Sequence, residues 1–202
     1  ALESYREALR LHGDDFNLHY NLGWVHARLG EHDAAIAAYR AADLCSALSK
    51  EEGLQCRVAM TRWATRFVGE LTFTTLTQNP VITDDNIGDY ADRPEHLALG
   101  DLADLFLVAP ASANIIGKMA HGIADNIVGT TYLSVTCPVV VAPAMNVRML
   151  EHPAVQNNLG ILRERGVRIV DPEEGVLACG DYGKGKIAST ETLLGVIREM
   201  LT

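Results

Sequence analysis

Residues 105–111 and 138–145 are runs of seven and eight uncharged, mostly apolar residues, and each gives way to short polar side chains, Ser112 and Asn146. Neither run approaches the roughly 18 residues a membrane span needs. Both have the length and continuity of strands buried on two faces. Shorter, mainly apolar stretches, each carrying one arginine, Arg57 or Arg168, occupy residues 54–60 and 167–170. The spacing predicts strands at 54–60, 104–109, 138–142 and 167–170. Helical patterns fill the gaps, from residue 61 to about Thr77, from near Ser112, and over 191–201. Buried strands alternating with helices imply an α/β fold with a parallel sheet covered on both faces, in three layers. In such sheets ligands bind beyond the carboxyl ends of the strands. The segments to read for function are therefore 61–65, 110–115, 143–149 and the stretch after 170.

Composition narrows the class further. The 202 residues are 48% hydrophobic and 21% charged, with a formal net charge of −9. A chain this apolar can bury enough surface to offset its ordering entropy, which argues against disorder. Its acidic balance argues against a nucleic-acid partner, and the missing long apolar run argues against a membrane span. Residues 1–6 lack the basic start and apolar stretch of a signal peptide. The four cysteines, at 45, 56, 137 and 179, form no CxxC pair and share no metal-binding spacing with the seven histidines. Cys45, Cys56 and Cys137 read as buried, reduced thiols of a cytoplasmic protein.

Residues 1–48 have another rhythm. Ala1, Tyr5, Arg6 and Ala8 recur 34 residues later as Ala35, Tyr39, Arg40 and Ala42, and Leu22, Gly23 and Gly30 lie between the copies. A 34-residue period with these small and large positions resembles the tetratricopeptide helix pair. Helices are expected at 1–12, 16–29 and 33–48. His26 at an aromatic position and Gly13 at a usual proline position depart from the repeat. Residues 16–24 also alternate as a strand would, although Leu18, Leu22, Val25 and Leu29 form a helical stripe.

Three segments carry chemistry. Pro110-Ala-Ser-Ala-Asn114 sets small polar residues where a strand ends and a helix begins, so free N–H groups could hold an anion. Pro143-Ala-Met-Asn146 repeats the arrangement one strand later. Ser112 and Asn146 read equally well as helix caps. Ala178-Cys-Gly-Asp-Tyr-Gly-Lys-Gly-Lys186 is a glycine-spaced, charged segment containing a cysteine, or else an ordinary surface turn.

Taken in order, these motifs resemble the flavin-containing cysteine decarboxylases, most closely the phosphopantothenoylcysteine decarboxylase branch. Residues 95–104, beginning Glu95-His96, match that family's histidine segment, and residues 59–67 with 71–73 match its second-strand region. The likeness runs from about residue 36 to the end. It implies a Rossmann/flavodoxin-like sheet, spanning 34–202, behind an amino-terminal helical extension of 1–48 whose last helix the two parts share. It also implies FMN as cofactor and decarboxylation of 4′-phosphopantothenoylcysteine to 4′-phosphopantetheine in coenzyme A synthesis. In that scheme the substrate's thiol side is oxidised to a thioaldehyde, carbon dioxide leaves, and the resulting enethiol is reduced.

The resemblance assigns roles residue by residue. His96, Asn146 and Cys179 would be catalytic, with His96 beside the substrate cysteine, Asn146 on its carboxylate and Cys179 as proton donor to the enethiol. Thr61, Ser112, Ala113, Asn114, Ile115 and Ala144 would bind FMN. Met145, Ala178, Gly180 and Asp181 would line the substrate beside Asn146. Gly180, Gly183 and Gly185 would make the loop around Cys179 pliable. No metal is implied. A homo-oligomer is implied, a trimer or multiple of trimers with flavin at subunit contacts, and the helical extension could engage a protein partner. Ala34-Ala35 stands where the family has Gly-Ser, and no apolar strand precedes it. Two alternatives therefore stay open: a non-catalytic fusion or scaffold, and a peptidyl-cysteine decarboxylase.

Overall fold

The computed structural model describes residues 32–87, 94–176 and 182–202. The helices expected at 1–12 and 16–29, and most of the tetratricopeptide-like repeat, lie outside the described residues. Helix α1, His32–Leu48, matches the expected third helix.

A parallel sheet of β3 (Phe106–Ala111), β4 (Val139–Pro143) and β5 (Arg168–Ile169) forms the centre, in that order. Its register slips between Val108 and Ala111, where Pro110 has no N–H for the ladder. Helices α4 (Ala113–His121) and α5 (Ile127–Ser134) cross from β3 to β4. Helices α6 (Val147–Leu150) and α7 (Pro153–Glu164) cross from β4 to β5, and α8 (Thr190–Leu201) closes the chain.

Side-chain alternation along β4 explains the three layers. Val141 faces one side and packs with Ile116 and Met119 of α4 and with Leu159 and Leu162 of α7. Val140 and Ala142 face the other and pack with Leu44 of α1 and with Leu193 and Ile197 of α8. A strand with both faces covered has no polar face, hence the unbroken apolar run. Each fully buried Ile or Leu here contributes roughly 1.5–3 kcal/mol.

A second parallel pair, β1 (Ala59–Met60) with β2 (Ile82–Thr83), lies between α1 and the central sheet in sequence. It shares a third apolar cluster with α1 and α2 (Glu70–Thr77), containing Cys45, Met60, Val68, Phe73 and Val81. Adjacent residues of α1 thus serve two clusters, Leu44 one and Cys45 the other.

Four expectations need correction. The strand expected at 54–60 is regular only at Ala59–Met60. The helix expected from 61 to 77 is a 3-10 turn, Ala64–Arg66, and then α2, with extended Gly69 between them. Strand β2 was not foreseen, because residues 82–83 are too few to show a period. Finally, part of the glycine-spaced segment is regular structure. Strand β7 (Tyr182–Lys186) pairs antiparallel with β6 (Glu173–Val176), with Gly175 opposite Gly183. Gly183 therefore belongs to a ladder, and Gly185 lies within β7 as the extra residue where the register shifts between Glu173 and Glu174, not in a pliable loop.

Among the described residues, no helix is long and apolar enough to cross a membrane. Among the same described residues, no group of three His, Cys, Asp or Glu side chains could hold a metal ion.

Candidate active site

Parallel pairing brings the loops after β3 and β4 together. Ala111 pairs with Pro143, and the Ala144 N–H donates to the Ala111 carbonyl oxygen at 3.0 Å. The segments 112–115 and 144–146 therefore lie side by side at the carboxyl end of the sheet. Each opens a helix. Ser112 caps α4, its Oγ accepting from the Ile115 N–H at 3.4 Å. Asn146 caps α6, its Oδ1 accepting from the Arg148 N–H at 2.9 Å. The cap reading thus holds for both residues and leaves a ligand role open. At the start of α4, Ala113 and Asn114 occupy the first turn, where no preceding helical carbonyl accepts from their N–H groups. That turn holds no acidic residue. Ser112 and Asn114 are exposed, Ala113 and Ala144 half-buried, and Ile115 and Met145 buried.

Strand β7 reaches the same place, since the Met145 N–H donates to the Gly185 carbonyl oxygen at 3.0 Å. Gly183 lies so close to α6 that a Cβ there would meet Val147 Cγ2 at 2.9 Å. The root of the ribbon is held as well. Arg40 of α1 donates to the Ile187 carbonyl oxygen, and Glu173 Oε1 accepts from the Ser189 N–H at 2.8 Å. Ala178, Cys179, Gly180 and Asp181, which follow β6 and precede β7 in sequence, are outside the described residues.

Thr61 follows β1 and is half-buried, its Oγ1 accepting from the Ala64 N–H at 3.3 Å. Nearby, Asp84 does work that the sequence reading missed. One of its oxygens accepts from the Arg62 N–H at 2.8 Å and the other from the Ile127 N–H at 2.7 Å. This carboxylate ties the loops after β1 and β2 to the start of α5. The cap of that helix, Asn126, accepts from the Gly129 N–H at 2.9 Å. An asparagine just before an apolar run was the available signal.

His96 is the second residue of α3 (Glu95–Leu102) and is half-buried. Ser134 Oγ of α5 donates to its carbonyl oxygen at 2.8 Å. The two helices meet closely at Gly100, where a Cβ would come within 2.9 Å of Ser134 Oγ. Among the described residues no hydrogen bond joins His96 to Asn146. The structure gathers 112–115, 144–146 and β7 in one place and sets His96 on the α3–α5 side.

Comparison with known proteins agrees with this architecture. The Flavoprotein family model matches residues 32–202. A probable phosphopantothenoylcysteine decarboxylase of Streptococcus mutans is 43% identical over 169 residues, 83% of this chain and 94% of that protein. The bifunctional coenzyme A biosynthesis protein CoaBC of Bacillus subtilis is 45% identical over 159 residues, 79% of this chain. This chain spans only 39% of that longer relative. Among solved structures, the FMN-dependent cysteine decarboxylase SpaF aligns at a TM-score of 0.71 and 34% identity, covering 82% of this chain and 89% of that one. A cysteine-to-serine mutant of PPC decarboxylase, complexed with pantothenoylaminoethenethiol, aligns at 0.72 and 30% identity, covering 81% and 91%. A family match over 32–202, on a sheet whose strand ends carry the expected motifs, means that this chain belongs to the Flavoprotein family.

Proposed function

We propose that this chain decarboxylates 4′-phosphopantothenoylcysteine to 4′-phosphopantetheine with FMN at the carboxyl ends of β3 and β4. The observation that carries this reading is the meeting of 112–115, 144–146 and β7 through the Ala144–Ala111 and Met145–Gly185 hydrogen bonds. The residues present suit FMN. A helix start without acidic side chains, the Ser112 hydroxyl and the Asn114 amide make a donor set for phosphate and polar ring atoms, and the Thr61 hydroxyl is of the same chemical type. Thr61, Ser112, Ala113, Asn114, Ile115 and Ala144 would hold it. When bound, FMN supplies the two-electron redox chemistry at the substrate's cysteine.

The protein positions the substrate and moves protons. Asn146 uses Oδ1 for its cap, so its amide NH2 is the end that would orient the substrate carboxylate. His96 would accept or relay a proton beside the substrate thiol. Cys179 would deliver the proton that completes saturated product. Met145, Ala178, Gly180 and Asp181 would line the substrate. A cytoplasmic homo-oligomer, a trimer or multiple of trimers with His96 acting at a subunit contact, belongs to this reading through the resemblance to the cysteine decarboxylases.

The test is turnover of purified chain with FMN and 4′-phosphopantothenoylcysteine. Release of carbon dioxide with saturated 4′-phosphopantetheine is expected. Turnover only of peptides ending in cysteine, or product stopping at the enethiol, would overturn the assignment in favour of a peptidyl-cysteine decarboxylase.

A further inference from the structure

Away from the candidate site, α1 and the approach to β1 bring two thiols together. Cys45 Sγ and Cys56 Sγ are 4.0 Å apart, and both are free. They are 11 residues apart in sequence. Cys45 is buried in the cluster with Met60, Val68, Phe73 and Val81, whereas Cys56 is half-buried at its margin. Both backbones are held. Ser49 donates to the Cys45 carbonyl through its N–H at 3.0 Å and its Oγ at 2.8 Å. Asn79 Nδ2 donates to the Cys56 carbonyl at 3.1 Å. A covalent S–S bond is about 2.05 Å long, so the two sulfurs must approach further between these held backbones. No third ligating side chain joins the pair among the described residues, which favours dithiol chemistry over metal binding.

The two thiols are not equivalent. The hydrogen bond with Cys56 and then burial push the Cys45 thiol up, and the hydrogen bond with Cys45 pulls the Cys56 thiol down. Cys56, also the more accessible, is the nucleophile, and Cys45 resolves.

We propose that Cys45 and Cys56 form a redox pair that closes to a disulfide on meeting a low-molecular-weight disulfide. Cys56 as thiolate attacks one sulfur of that disulfide, forming a mixed disulfide and expelling a thiolate, which is protonated. Cys45 then passes its proton to solvent and attacks Cys56 Sγ, displacing the second small thiolate, which takes up a proton from solvent. Two protein thiols are oxidised, and one small disulfide is reduced to two thiols. The new bond ties α1 to the segment that runs through β1 to Thr61.

Incubation of the full chain with glutathione disulfide, followed by alkylation and peptide mapping, tests this. The expected product is lighter by two hydrogens, carries a peptide joining residues 45 and 56, and reverts with a dithiol reductant. With Cys45→Ser, the glutathione adduct should accumulate on Cys56. With Cys56→Ser, Cys45 should remain an alkylatable thiol. In wild-type protein, a stable glutathione adduct on Cys56 or two unreacted thiols at 45 and 56 would overturn the proposal, whatever happens at Cys137 or Cys179. The wild-type map decides the matter even if a variant fails to fold.

Discussion

The Met145 amide donates to the Gly185 carbonyl at 3.0 Å, binding the residue before a helix cap to the root of an antiparallel ribbon, where its register shifts. Met145 belongs to the loop after β4, and Gly185 to β7. One backbone bond therefore joins the strand-end site to the arm leading back to Cys179. Side-chain packing reinforces it, because Gly183 of the same strand rests against Val147 of α6.

Gly183→Ala should pry the ribbon from α6. The new methyl would lie 2.9 Å from Val147 Cγ2, and a β-branched side chain cannot swing aside cheaply. A loss of about 1–3 kcal/mol is expected in denaturant unfolding. Val147→Ala added to Gly183→Ala should recover most of it, a coupling of roughly 1 kcal/mol or more. Strict additivity of the two changes would show that the contact is not the cause.

Asn146 caps a helix, and the proposed function gives it a second, separable duty at the substrate. Asn146→Ala should cost about 1 kcal/mol through loss of the cap on Arg148 N–H. Asn146→Asp keeps an oxygen acceptor at the helix start and should leave stability nearly unchanged. It should still lower kcat/KM by roughly 100-fold or more, because a carboxylate replaces the amide that would meet the substrate's carboxylate. Normal kcat/KM in the aspartate variant would confine Asn146 to capping.

Cys179→Ser should block the last step and spare the earlier ones, so enethiol accumulates while carbon dioxide is still released. A serine hydroxyl is a far weaker acid than a thiol, and in the proposed reaction only the final protonation would depend on that acidity. Mass analysis of the products decides it. Saturated product formed at the wild-type rate would remove Cys179 from the mechanism.

Glu173 should make the base of the ribbon sensitive to acid. Burial pushes its carboxyl upward. The Ser189 N–H and hydroxyl, then Arg40 and Lys186, outweigh this and hold it below its ordinary value of 4.5. A carboxyl depressed in the folded state contributes fully above its unfolded value and loses that contribution as pH falls through the folded one. At neutral pH, Glu173→Gln should therefore be less stable than wild type, and the gap should close below about pH 4.5. Thermal unfolding across that range checks it. A gap that stays constant down to low pH would mean that the charge on Glu173 adds nothing.

The sequence by itself determined the layered α/β core and the order of its motifs. The runs at 105–111 and 138–145 are apolar throughout because β3 and β4 are covered on both faces, and burial of that kind leaves a direct mark on composition. The caps at Ser112 and Asn146 were legible for a similar local reason, since capping needs only a short polar side chain and the next few amides. Contacts between distant segments leave no such mark. Nothing in residues 82–85 shows that Asp84 bridges Arg62 and Ile127, because its two partners are backbone amides that carry no side-chain signature. The glycine spacing of 180–186 suggested a pliable loop. Only pairing with β6 turned part of it into a strand, and pairing depends on a partner elsewhere in the chain. Cys45 and Cys56 are 11 residues apart and form no motif, yet α1 and the approach to β1 pack against one cluster and leave their sulfurs 4.0 Å apart. Local rules of burial and capping act on neighbours in sequence. Which thiol meets which, and which carboxylate closes which gap, was settled by how the packed elements lie against each other.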